Sequence, residues 1–494
     1  MSTSLTRDTL VYGTAVMTER AVSFLLLPVL TKTLAPDLFG VWSQIIVTVG
    51  LLSSLLLLHL HTALVNTFSG EGKEFGEKYL TFHGVLFVVL VLSACVIGGL
   101  WLGSLPVSLI VFGNEEFHVF IPLLGFLLAT EALFELTIAF LRSAQQITRL
   151  SLYYTVKNVG RLVLMVLGLG VFHVDLYSAI LWVVLWQALF ISFIYGNDVF
   201  ARSTPLVLSK VLDRVKPLVP FSLPLVPLGI MLWGNSYLDR YLILHFLGLD
   251  QVGVYAVTYS LAATTSVFYS VLGFTLYPEL AKLWNGGDRA RIGELVKTGM
   301  SYYLLFLLPA IALLTILGEN IITVFATKRY LSPWPVMLMI AMGIGLYGLY
   351  QIYLYIVLLG NKMAQNLFAV LGAMVLNLVL NLVFLRILGL VGAALAIMVS
   401  NGFLAGWTIT ISRTAAPSKF PWRQLSKMII ATIVMSGFLL LAKYYLPLNT
   451  VWTLPTAMVI AGGLYMACYC LIDREMARSM RRLTLAWIAL PQGR

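Results

Sequence analysis

The sequence predicts an all-α polytopic membrane protein with 14 transmembrane helices: two six-helix lobes, related as a parallel pseudo-twofold repeat, plus two C-terminal helices. Three observations carry this prediction. The chain is too apolar for a soluble fold, its apolar runs are divided by loops whose basic charge alternates in number, and one short motif occurs twice.

The composition comes first. Of 494 residues, 60% are hydrophobic and 11% charged, with a mean hydropathy of +0.93. An average soluble domain carries about 25% charged residues. A globule of this length has too little interior to bury so much apolar surface. A soluble enzyme, a nucleic-acid module and a disordered chain are therefore excluded. The net charge of +11 follows from the enrichment of Lys and Arg in cytoplasmic loops of membrane proteins, with no nucleic-acid partner required. Cys95, Cys468 and Cys470 lie in apolar stretches, with neither a disulfide framework nor zinc spacing. Residues 1–9 are short and polar, and Glu19 and Arg20 interrupt the first apolar run, so no removable signal peptide is read.

A span needs about 20 apolar residues. Runs between polar breaks lie at 10–33, 38–62, 80–102, 117–140, 150–171, 176–197, 218–247, 252–278, 298–317, 334–358, 364–386, 389–411, 426–446 and 451–472. The eleventh and twelfth are parted only by Leu388-Gly389-Leu390. With residue 1 cytoplasmic, and charges toward a span's end counted with the adjoining loop, 24 of the 32 Lys and Arg residues are cytoplasmic and five outer, leaving Arg20, Arg161 and Arg240 inside spans. A missed span would reverse every later loop, so this bias sets both parity and orientation, with both termini cytoplasmic. The outer loops are short, which argues against a membrane polymerase or ligase with an external catalytic domain.

The repeat pairs Thr33-Leu-Ala-Pro-Asp-Leu-Phe-Gly-Val-Trp42 with Phe246-Leu-Gly-Leu-Asp-Gln-Val-Gly-Val-Tyr255. Asp37, Gly40, Val41 and Trp42 align with Asp250, Gly253, Val254 and Tyr255. A weaker echo relates Leu141-Arg-Ser-Ala-Gln-Gln146 to Leu359-Gly-Asn-Lys-Met-Ala364. The expected organisation is an N-lobe at 1–200, a C-lobe at 201–415, spans 13 and 14 at 416–472, and a basic cytoplasmic tail at 473–494. Six spans per lobe give both lobes the same orientation, about an axis along the membrane normal.

The 6 + 6 + 2 pattern, the Leu26-to-Trp42 stretch and the Leu-Asp-Arg-Tyr…Leu-Gly-Leu-Asp-Gln-Val-Gly-Val-Tyr stretch (Leu238 to Tyr255) resemble the polysaccharide transporter family of the multidrug/oligosaccharidyl-lipid/polysaccharide exporter superfamily, the Wzx-type flippases of lipid-linked oligosaccharides. The resemblance implies an alternating-access flippase without covalent chemistry. Its cargo would be an undecaprenyl-pyrophosphate-linked oligosaccharide repeat unit of O-antigen or exopolysaccharide type, moved from the inner to the outer leaflet of a bacterial plasma (inner) membrane. Polysaccharide polymerase machinery is a further expected partner. An ion-coupled multidrug or cation extruder and a lipid II flippase are the alternatives within the same superfamily.

Ionisable residues within spans are costly and usually face a cavity or a partner. Arg20 lies about ten residues into its span, roughly 15 Å deep at 1.5 Å per residue, and Arg161 and Glu131 reach similar depth. Glu19 and Arg20 are adjacent and point about 100° apart, as do Asp239 and Arg240, so each needs a partner elsewhere. Glu131 and Glu135 share one helix face, as do Lys157 and Arg161, and a contact between these two pairs joins spans 4 and 5. Guanidinium groups stay protonated and grip phosphate oxygens bidentately. Arg20, Arg161 and Arg240, with Lys157, are therefore the expected contacts of the anionic head group. Tyr347, Tyr350 and Gln351 are candidates for sugar contact. Glu19, Glu131, Glu135 and Asp239 are candidates for charge pairing or for carrying a coupling ion, H⁺ or Na⁺. Pro220, Pro224 and Pro227 mark a hinge at the start of span 7. His59 and His61 stand two apart, a spacing that does not converge on a metal within a continuous helix. No cofactor, catalytic group or metal site is expected.

Overall fold

The computed structural model describes residues 3–68, 75–196, 213–450 and 452–473. Thirteen helices among them are long and apolar enough to cross a membrane. A bent pair, Asp213–Ser222 with Leu225–Leu247, brings the number to fourteen if the two helices are taken as one span. Helices are the form the solvent demands, because lipid satisfies no backbone N–H or C=O and a helix pairs them all internally. No strand occurs among the described residues. The basic tail, including Arg474, Arg478, Arg481, Arg482 and Arg494, lies outside the described residues, as do Lys73, Arg202 and Lys210.

The chain forms two compact units, residues 1–256 and 257–494. The first contains α1 (Thr3–Thr33), α2 (Pro36–Leu57), α3 (Leu60–Phe68), α4 (Phe75–Leu102), α5 (Ser104–Phe112), α6 (Phe120–Ser143), α7 (Ile147–Met165), α8 (Leu176–Ile194), α9 (Leu225–Leu247) and the first half of α10 (Leu249–Ala262). The division therefore falls inside α10, beyond the repeat boundary read from the sequence. The reason is local: α9 packs along α2, with the Trp233 indole donating to the Val47 carbonyl at 2.9 Å. In the middle of this unit α6 touches α2, α3, α4, α7 and α8. Its core side chains, among them Leu124, Leu128 and Leu136, are fully buried.

The two copies of the repeated motif pack on each other. A Cβ added at Gly40 would collide with the Leu249 carbonyl oxygen, and one at Gly253 with the Pro36 carbonyl oxygen. Position 36 aligns with 249 and position 40 with 253, so the contact is reciprocal, as a twofold relation between the motifs requires. Glycine at both positions lets the backbones approach. The second echo is also structural, but offset by two residues from the alignment above. Gln145 (φ 57°) and Asn361 (φ 55°) each end a helix in the left-handed region. The next amides reach back five residues, Gln146 to Leu141 at 2.9 Å and Lys362 to Val357 at 3.0 Å.

The histidine spacing argument assumed a continuous helix, and the structure corrects it. The chain breaks at Leu58 (φ 46°) and His59 (φ 53°), so the His59 and His61 rings stack with centroids 5.5 Å apart. No group of three metal-type ligands stands among the described residues.

The second unit contains the rest of α10, then α11 (Ser266–Asn285), α12 (Arg289–Phe325), α13 (Trp334–Leu359), α14 (Met363–Leu388), α15 (Leu390–Arg413), α16 (Trp422–Tyr445) and α17 (Thr453–Ile472). The break between spans 11 and 12 is Gly389, at φ 58°, a conformation glycine adopts without strain. Asn377 donates to Ser400 at 3.1 Å and Asn381 to Asn377, polar glue between and along helices. The last two helices pack on α12. Tyr465 donates to the Leu305 carbonyl at 2.9 Å and Lys443 pairs with Glu319 at 3.0 Å.

Candidate functional site

The intramembrane charges of spans 1, 4 and 5 converge on one cavity inside the first unit, with a volume of about 290 Å³. Helix α1 supplies Glu19, α2 supplies Trp42 and Ser53, α6 supplies Glu131 and Glu135, and α7 supplies Tyr154, Lys157, Asn158 and Arg161. The four residues from α7 follow the spacing i, i+3, i+4, i+7, which places them on one face. Glu131 and Glu135 are one turn apart on α6 and face them.

Within the cavity the pairing is uneven. Lys157 Nζ meets Glu131 Oε2 at 2.5 Å and stands 4.2 Å from the Phe134 ring centroid. Gln187 on α8 donates to Glu131 Oε1 at 3.0 Å and accepts from Thr130 at 2.8 Å. Both oxygens of Glu131 are therefore engaged, and the Lys157 side chain is only 7% exposed. Glu19 Oε2 accepts from the Tyr154 hydroxyl at 2.7 Å. Arg161 Nε is buried with no hydrogen-bond partner among the described residues. Two carboxylates outside the closed pair, a guanidinium donor, an amide and an aromatic wall thus face one half-open cavity.

The other candidates stand elsewhere. Arg20, adjacent to Glu19, is not among the lining residues, in keeping with the angle between neighbouring side chains. Asp239 and Arg240 are buried on α9. The Asp239 carboxylate accepts from the Tyr255 hydroxyl at 2.5 Å and the Arg240 amide at 2.9 Å. The Arg240 guanidinium lies 5.0 Å from the Tyr237 ring centroid. Tyr347, Tyr350 and Gln351 are on α13 in the second unit. Gln351 donates to the Tyr347 hydroxyl at 2.9 Å, and Tyr350 is enclosed and accepts from Asn366 at 3.3 Å. Pro220, Pro224 and Pro227 flank a 50° bend between Asp213–Ser222 and α9.

Tyr154, Asn158 and Gln187 were not singled out by sequence reasoning, and Trp42 only as a residue of the repeated motif. The polar stripe of α7 was visible at helical spacing. Gln187 carried a weaker signal, a single amide in an apolar helix.

Residues 5–284 match the model of a family described as polysaccharide biosynthesis protein. Over 234 residues the chain is 21% identical to a probable low-salt glycan biosynthesis flippase, Agl15, of Haloferax volcanii. That alignment covers 44% of this chain and 46% of the relative, about half of the relative's length. Among solved structures, a lipid II flippase, MurJ, in an inward closed conformation is similar with a TM-score of 0.76 and 15% identity, over 95% of this chain and 100% of that one. A multidrug resistance MATE family transporter of the MOP superfamily, inward-facing, follows with a TM-score of 0.65 and 13% identity, over 82% of this chain and 97% of that one. At such identities these structures speak to the fold.

Proposed function

The chain belongs to the polysaccharide biosynthesis protein family, and from that premise we propose that it is a flippase for a lipid-linked glycan. In this reading the cargo is an oligosaccharide repeat unit on undecaprenyl pyrophosphate, of O-antigen or exopolysaccharide type. It passes from the inner to the outer leaflet of a bacterial inner membrane, with both termini of the protein cytoplasmic. The lobes of spans 1–6 and 7–12 alternate in access. The observation that carries the reading is the charged cavity held among membrane-spanning helices, with a buried donor of Arg161 left without a partner among the described residues. Arg20, Arg240 and Lys157 add cationic charge along the path of the head group, and Tyr347, Tyr350 and Gln351 offer aromatic and amide contacts to sugar. Glu19, Glu131, Glu135 or Asp239 carries the coupling ion, H⁺ or Na⁺. Polymerase machinery takes up the product.

The full chain reconstituted in liposomes with undecaprenyl-pyrophosphate oligosaccharide tests this, with leaflet transfer followed with and without an ion gradient. A hydrogen bond to a charged group contributes about 1.5–3 kcal/mol. Arg161→Gln should therefore slow transfer by tenfold or more at unchanged insertion; transfer at the wild-type rate refutes the assignment. A cation extruder is the second reading, favoured by the three carboxylates set against two cations in the cavity lining. It predicts uptake of an organic cation and no transfer of the lipid.

A further inference from the structure

Helix α2 stops at Leu57 and α3 starts at Leu60. The two residues between them, Leu58 (φ 46°) and His59 (φ 53°), both stand in the left-handed region. That conformation is costly for a residue with a Cβ, most of all for a bulky one such as leucine. The strain is what brings the His59 and His61 rings into a stack, with centroids 5.5 Å apart. In one continuous helix the two side chains would point about 200° apart. The stack therefore exists only while the break does. Both histidines lie beyond Leu57, where the crossing helix ends.

The stacked pair suits uncharged rings. Ser54 Oγ and His59 Nε2 share a hydrogen bond across the break at 3.0 Å, and His61 Nε2 shares one with Thr62 Oγ1 at 3.2 Å. His61 Nδ1 is buried with no partner among the described residues. An imidazolium carries a proton on both nitrogens, so a charged His61 would bury an N–H without an acceptor. It would also meet a charged His59 across the stack, and the Arg142 guanidinium of α6 as a further like charge. Among the described residues neither imidazole is bonded to an acid. The other ionisable groups on the elements packed against α3 have their own partners. Glu77 of α4 pairs with Arg214 at 2.9 Å, and Asp213 pairs with Lys216 at 2.7 Å. Lys78 donates to the Ser143 carbonyl at 3.1 Å, and His83 bonds the Tyr79 carbonyl at 2.8 Å. On α6, Glu131 is closed by Lys157, and Glu135 feels the charges of Lys157 and Arg142.

Helix α9 covers the break. A Cβ added at Gly229 would stand 2.5 Å from Ser54 Oγ and 2.6 Å from His59 Nε2. Leu60, Ala63 and Leu64 are buried on α3, which packs on α6, and their burial favours the bent form.

We propose that the His59–His61 pair is a proton-binding site that switches the α2–α3 break between a bent and a straight form. Neutral rings stack, and the break stays bent beneath α9. Protons bind the separated rings, Leu58 and His59 relax into helical geometry, and α2 runs on into α3. The proposal concerns how this end of the first unit moves, and it holds whatever cargo the protein carries.

The test follows the bend directly in the full chain in lipid nanodiscs. Cys95, Cys468 and Cys470 are replaced by serine, and spin labels are placed at Asn66→Cys on α3 and Leu152→Cys on α7, both exposed positions. An unperturbed imidazole takes up its proton near pH 6.5, roughly. At pH 5.5 each histidine freed from the stack therefore favours the straight form about tenfold, against almost nothing at pH 8. Wild type should show a second distance population whose ratio to the first rises about a hundredfold between pH 8 and pH 5.5. His59→Gln and His61→Gln should each cut that rise at least threefold, and the double variant should show none. His61→Phe keeps a ring for the stack and takes no proton, so its rise should also be at least threefold smaller. Gly229→Ala displaces the covered hydrogen bond and should show the second population already at pH 8. Each ratio is internal to one sample and does not depend on folded yield. Populations that stay fixed in wild type between the two pH values, or a double variant or His61→Phe variant that responds as wild type does, overturn the switch.

Discussion

Replacing Lys157 with methionine isolates the energetics of the cavity's closed pair. The substitution keeps an unbranched side chain of similar length and deletes one charge. The structure sets the size of the loss. The ammonium leaves Glu131 Oε2 at 2.5 Å and the Phe134 ring at 4.2 Å, and Glu131 retains only its bond from Gln187. Removing one partner of a buried ion pair costs about 3–5 kcal/mol. Glu131 is 19% exposed and Lys157 7%, so about 3 kcal/mol is expected here. The double variant Lys157→Met with Glu131→Gln removes the stranded charge and keeps an amide for Gln187. It should recover about 2 kcal/mol of the loss, a coupling of the size seen between residues in direct contact. Denaturant or thermal unfolding in a fixed detergent or lipid measures all four corners of the cycle. If Lys157→Met unfolds within about 0.5 kcal/mol of wild type, or if the double variant is no more stable than that single one, the pair does not hold α6 to α7 as argued.

Two further outcomes follow from the packing. Gly40→Ala and Gly253→Ala each press a methyl against a backbone carbonyl, Leu249 and Pro36 respectively, so the helices must part. Each should cost about 1–3 kcal/mol and lower the folded yield on size exclusion, whereas Gly437→Ala, with open space around it, should behave as wild type. Tyr255→Phe deletes the hydroxyl donor to the buried Asp239 carboxylate and should destabilise by about 1.5–3 kcal/mol. Added after Asp239→Asn, the same change should cost less than half as much, and equal costs in both backgrounds would show that the bond contributes nothing.

Much of this was legible along the chain. Hydropathy alone locates the thirteen helices long and apolar enough to cross, and the bent pair around Pro224, because lipid admits a crossing segment only as a helix of sufficient apolar length. The pairing of Glu131 with Lys157 was also legible, since two same-face pairs on consecutive spans at equal depth have few other partners. Depth in the membrane is a sum over residues and can be counted. Which way a helix is turned, and which helix stands beside it, depends on packing between distant segments. For that reason the sequence separates Glu19 from Arg20 by angle, and only the packed structure decides that Glu19 is the one lining the cavity. Arg240 and Asp239 are found within helix packing, away from the cavity lining, and Gln187 joins the site from a helix whose sequence gives little sign of it. The His59 and His61 rings meet because the backbone breaks between them and α2. Composition and periodicity thus determined the solvent, the number of helices and the charges carried inside them. Tertiary packing decided which of those charges are left facing the cavity, because only the packed structure sets the distances between residues far apart in the chain.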